Sequence, residues 1–119
     1  MRVIYLENPN LKSQDNFGRQ PIHHAVKSGY KKTISLLFTD KLSKKIDFDC
    51  KTIGGLTPLM IAAKQGDHYS VRKLLRAGAN HAAEDTQSKK AEDYAMLVDE
   101  KLAKAFTKYA NEKQHEKSL

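Results

Sequence analysis

The chain has 119 residues, 39% of them hydrophobic and 29% charged, with a net charge of +7. That length holds one domain with a modest core, and no stretch approaches the roughly 20 apolar residues of a membrane helix or the apolar run of a secretory leader. The single cysteine, Cys50, cannot form an internal disulfide, so a reducing, cytoplasmic setting and a small, unreactive Cys50 are expected.

Residues 1–14 include Tyr5, Leu6, Pro9 and Leu11, which read as the end of a structural unit whose beginning is missing. Residues 15–51 and 52–84 then repeat one another. GRQPIHHAVKSG (18–29) aligns with GLTPLMIAAKQG (55–66) at an offset of 37, and later segments align at 33. The basic period is therefore 33, with four extra residues in the first copy, inside a KLSKK loop at 41–45. In the second copy Thr57 suits a helix cap and Pro58 the first helical position. Leu59, Ala62 and Ala63 make a small apolar face, and Gly66 (like Gly29) supplies the left-handed turn that ends the helix. Val71, Leu74 and Leu75, matched by Ile34, Leu37 and Phe38, form the stripe of a second helix. Residues 85–110 are a degenerate copy: KAEDYA replaces the cap-and-Pro signature, and Asp99 stands where the turn glycine should be. Its second helix is expected to place Leu102, Ala105, Phe106 and Tyr109 inward. Residues 111–119 form a polar tail, expected to prolong the last helix or to be disordered.

The period, the caps and the TPLMIAA and LLRAGAN segments resemble the ankyrin repeat, over roughly residues 3–110. The resemblance implies an all-α solenoid of helix-turn-helix repeats with extended, hairpin-like turns, about three repeats counting the degenerate C-terminal cap. It also implies that His23, at the histidine of the family's TPLH motif, hydrogen-bonds neighbouring turns, and that Met60 lacks this tie in the next repeat. About three repeats are needed to bury a continuous core, so this stack is expected to be near its stability limit.

Little in the sequence points to chemistry. His23 and His24 are adjacent and diverge on a helix. His68, His81 and His115 have no ligand at metal spacing. No phosphate loop, nucleophile elbow or HExxH occurs. Neither enzymatic activity nor a metal or cofactor is expected. The resemblance implies instead a protein-interaction module, an adaptor or a small subunit of a larger assembly.

In ankyrin arrays partners commonly lie in the concave groove of turn tips and first helices. By position this gives Phe17, Arg19, His24, Ile53, Leu56, Ile61 and Lys89, with Lys27 and Gln65 beside them. A second candidate surface is basic: Lys41, Lys44 and Lys45, then Arg72, Lys73 and Arg76, then Lys101, Lys104 and Lys108 along one helix face. The 17 lysines against four arginines fit diffuse electrostatic attraction better than base-specific reading, and equally fit an AT-rich genome. Without interleaved exposed aromatics, an acidic protein surface such as tubulin ranks above nucleic acid. Such a composition fits a cytoskeletal or ciliary component as well as a secreted bacterial effector.

Overall fold

The computed structural model describes the backbone of residues 12–118 and the side chains of residues 12–109. The expected half repeat at Tyr5 to Leu11 lies outside the described residues. Among the described residues seven helices follow in chain order: α1 Pro21–Ser28, α2 Lys31–Leu37, α3 Asp40–Ser43, α4 Pro58–Lys64, α5 His68–Arg76, α6 Ala91–Val98 and α7 Glu100–Ser118. Among the described residues there is no strand.

Local chemistry fixes the helix ends. Thr57 Oγ accepts the Met60 N–H at 3.2 Å, which satisfies an amide that α4 would otherwise leave unpaired, and Pro58 follows at the first position. Gly66 turns the chain out of α4 at φ 67°. Asp67 opens α5 by accepting the Ser70 N–H at 3.1 Å and its hydroxyl at 2.7 Å.

The start of α1 is built otherwise. The Gln20 N–H donates to His23 Nδ1 at 2.9 Å, so Nε2 carries the ring proton and donates to the carbonyls of Cys50 and Leu56, both at 3.1 Å. The imidazole is thus the expected tie between turns. Burial dominates in lowering its pKa, with the two carbonyls pulling the other way. Gln20 Oε1, in contrast, is buried without a hydrogen-bond partner. Cys50 is buried beside this ring, and desolvation pushes its thiol up to about 12, far from the thiolate a reactive cysteine needs.

The helices stack in register. The central helix α4 packs on α1, α5 and α6, while α2 meets α5 and α6 meets α7. Ile22, Val26, Leu59, Met60, Val71, Leu74, Ala95, Leu102 and Phe106 form one continuous core, and Ala62 and Ala63 let the first helices approach. On α7 the buried face is Leu102, Ala103 and Phe106, with Ala105 and Tyr109 only half-buried. The degenerate repeat is therefore a helix pair packed onto the same core.

Two details go beyond expectation. The KLSKK segment is not all loop, because Asp40–Ser43 forms a helical turn that buries Leu42 in its middle. Asp99 replaces the turn glycine with an extended backbone, φ −155°. Its carboxylate accepts the Lys101 N–H at 3.0 Å and pairs with His68 Nε2 at 2.7 Å, and the His68 bond is the main cause of its lowered pKa. The tail prolongs α7 to Ser118, the first of the two outcomes expected for it.

Candidate partner-binding groove

Three tight turns precede α1, α4 and α6, at residues 15–19, 52–56 and 85–89. In each, the first N–H donates to the fifth carbonyl: Asp15 to Arg19 and Thr52 to Leu56 at 3.0 Å, Asp85 to Lys89 at 2.9 Å. The first side chain locks the turn. Asp15 accepts the N–H groups of Phe17 and Arg19 at 2.9 Å, Asp85 those of Gln87 and Lys89 at 2.8 and 3.0 Å, and the Thr52 hydroxyl that of Leu56 at 3.2 Å. Adjacent tips are joined by Ile53 N–H to Phe17 O at 2.9 Å and Thr86 N–H to Gly54 O at 3.3 Å. That closeness demands glycine at Gly55, whose φ is 82° and where a Cβ would lie 2.9 Å from the Thr86 nitrogen. The third tip puts Ser88 in the same left-handed conformation at φ 63°, which costs a residue with a Cβ on the order of 1 kcal/mol.

The tips and first helices enclose an open groove of about 510 Å³. Six of the seven anticipated residues line it: Phe17, Arg19, His24, Ile53, Leu56 and Ile61. Phe17 and Ile53 are 62% and 71% exposed. Leu56 and Ile61 are half-buried and pack onto the core, so they form the groove's back wall as well as its surface. At the mouth, Asp15 organises the polar groups: Arg19 Nε donates to its carboxylate at 2.8 Å and His24 Nε2 lies 3.1 Å away, while the guanidinium sits over the Phe17 ring at 4.8 Å. Partial burial works to raise the Asp15 pKa, but the amides of Arg19 and Phe17, then the guanidinium, outweigh it and hold the carboxyl well below the usual range.

Lys89 does not line the groove. It lies at the third tip, over the Tyr94 ring at 5.8 Å, and Lys64 approaches the same ring at 5.2 Å. The Tyr94 hydroxyl donates to Asp85; this bond is the first cause both of Tyr94's rise to about 12 and of Asp85's lowered pKa. Lys64 lines the groove and was missed from the sequence, although the offset that aligns it with Lys27 would have found it. Gln65 reaches back to the Val26 and Lys27 carbonyls at 3.3 and 3.2 Å, tying α4 to the end of α1. Also missed was the exposed run Met96, Leu97 and Val98 at the end of α6.

The basic candidates divide. Lys44, Lys73 and Arg76 share a second depression of about 440 Å³ with Phe38 and Phe48, whose rings stack 5.0 Å apart. Lys41, Lys45 and Arg72 are exposed on α3, just after it, and on α5. Lys101, Lys104 and Lys108 are exposed on α7 and do not line that depression, and Lys104 pairs loosely with Glu100 at 3.9 Å. Lysines also meet half-buried aromatics, Lys31 and Lys73 lying over Tyr69 at 5.5 and 5.6 Å. Among the described residues no cluster of His, Cys, Asp or Glu is placed to hold a metal ion, and no helix is long and apolar enough to cross a membrane.

Such a stack of short helix pairs, hydrogen-bonded turn to turn, is an ankyrin-repeat array, and the chain belongs to the ankyrin-repeat family. The family described as "Ankyrin repeats (3 copies)" matches residues 2–85, which takes in the segment before the described residues and stops short of α6 and α7. The chain is 33% identical over 85 residues to Neurogenic locus notch homolog protein 1 of Xenopus laevis, covering 71% of this chain and 3% of that protein. It is 31% identical over 89 residues to Neurogenic locus notch homolog protein 2 of Homo sapiens, covering 75% and 4%. The chain thus spans only a few per cent of the length of these relatives. Ankyrin repeats are in general protein-protein interaction modules.

Proposed function

We propose that this chain is a non-enzymatic interaction module, a small adaptor or structural subunit, that holds a protein partner in the groove of its turn tips and first helices. The observation that carries this reading is the pair Phe17 and Ile53. They are large, apolar and exposed on adjacent tips whose backbones are locked to one another. Rigid exposed apolar groups next to an arginine are what a binding surface presents, since little ordering entropy is lost on docking. The test is partner capture by a Phe17→Ala, Ile53→Ser double variant with unchanged circular dichroism. Capture should fall at least about tenfold, the loss of 1.4 kcal/mol or more that removal of a binding anchor gives. Undiminished capture by the folded variant would exclude the groove. Leu56 is a poorer probe because its truncation also opens the core.

A second reading has its own support. Lys44, Lys73 and Arg76 converge around a stacked aromatic pair, which favours an acidic surface, of protein before nucleic acid, on the outer side. Binding there should weaken steeply with salt. A reducing cytoplasmic setting goes with either reading, since a single cysteine leaves no internal disulfide to form.

A further inference from the structure

The charges of the groove specify more about its occupant than its shape does. Its lining holds three cationic side chains, Arg19, Lys27 and Lys64, and no carboxylate. Asp15, just outside, is engaged by Arg19 and His24 and offsets charge at the first tip only. Lys27 and Lys64 are exposed, occupy corresponding places in α1 and α4, and make no ion pair among the described residues. Lys64 lies over the Tyr94 ring, which Lys89, outside the groove lining, approaches as well. Along the tip side run Phe17 and Ile53, and the place in α6 that corresponds to Lys27 and Lys64 is taken by exposed Leu97.

We propose, resting on the groove reading above, that the occupant is an extended acidic segment: carboxylates facing Lys27 and Lys64, an apolar anchor against Phe17 and Ile53. Carboxylates there meet unpaired ammonium groups beside a low-dielectric wall, where attraction exceeds that of a fully exposed pair. The opposite choice, a basic segment, meets like charge along the groove floor and is disfavoured.

Random short peptides displayed on phage, selected on the full chain and on two folded variants, test this. Peptides selected on the unaltered chain should be enriched in Asp and Glu beside at least one large apolar residue. They should bind about tenfold or more weaker to Lys27→Glu, Lys64→Glu, and a fresh selection on that variant should lose the acidic bias. Lys44→Glu, Lys73→Glu should leave both affinity and bias unchanged. Peptides without acidic bias that still lose binding with Phe17→Ala, Ile53→Ser would overturn the proposal and leave the groove reading intact. An acidic bias that follows Lys44 and Lys73, with no effect of Phe17 and Ile53, would overturn both. A selection that enriches no peptide would overturn the proposal as well.

Discussion

The starts of α1 and α4 take the same place in successive repeats, yet each holds only half of the polar equipment. At α4, Thr57 caps the helix, while Met60 is buried and makes no link to the turns around it. At α1, His23 ties three backbone groups of two repeats together, while Gln20 caps nothing and leaves a buried oxygen unpaired. The difference teaches that cap and tie are separable: one terminates a helix, the other holds neighbouring turns in register. The tie matters more for the groove. Leu56, whose carbonyl His23 grips, forms its back wall, and the tip it ends carries Ile53.

Breaking the tie should have the largest effect. His23→Ala strands the Gln20 N–H and the Cys50 and Leu56 carbonyls, at a cost of about 3 kcal/mol in denaturant unfolding, whereas Met60→Leu at the equivalent place should cost under about 1.5 kcal/mol. Equal losses would erase the comparison. The tie also carries a pH signature. Its folded pKa lies below the 6.5 of the free group, so the unfolded chain binds the proton first. The stability His23 provides is complete above pH 6.5 and declines as pH falls from there toward the folded pKa. The stability difference between the chain and His23→Ala should shrink across that window. A difference that holds constant or grows on acidification would contradict a neutral, donating Nε2.

Smaller effects sharpen the contrast from the capping side. Thr57→Ala should cost about 1 kcal/mol through the lost Met60 bond. Gln20→Thr should gain about 1 kcal/mol, by adding a cap and removing the unpaired oxygen. A neutral or harmful Gln20→Thr would show that Gln20 serves some other contact. Smallest of all, Ser88→Gly should gain about 0.5 kcal/mol, since relief of the left-handed backbone exceeds the added freedom of the unfolded chain. Thermal unfolding followed by circular dichroism measures all three.

Much of this was legible in the sequence because it depends on residues near one another in the chain. The Thr57 cap, the glycine turns and the buried stripe of Val71, Leu74 and Leu75 follow from period and residue type. The groove positions followed too, since equivalent places in each repeat share one face. What the sequence hid depends on meetings across repeats. His68 reaching Asp99 replaces a missing glycine, and no spacing rule couples those two positions. Lys64 and Lys89 converge on Tyr94 only once the third tip is docked. Phe38 and Phe48 stack because the helical turn at Asp40–Ser43 folds the inserted segment back.

The central claim is that partners lie across the turn tips. A photo-crosslinking amino acid placed at Ile53 in one protein and at Lys45 in another, each irradiated with the bound partner, tests it most directly. Both positions are exposed, so neither substitution disturbs the core. The account predicts a covalent adduct from position 53 and little or none from position 45. Adducts from position 45 alone would contradict it and move the binding face to the basic outer side.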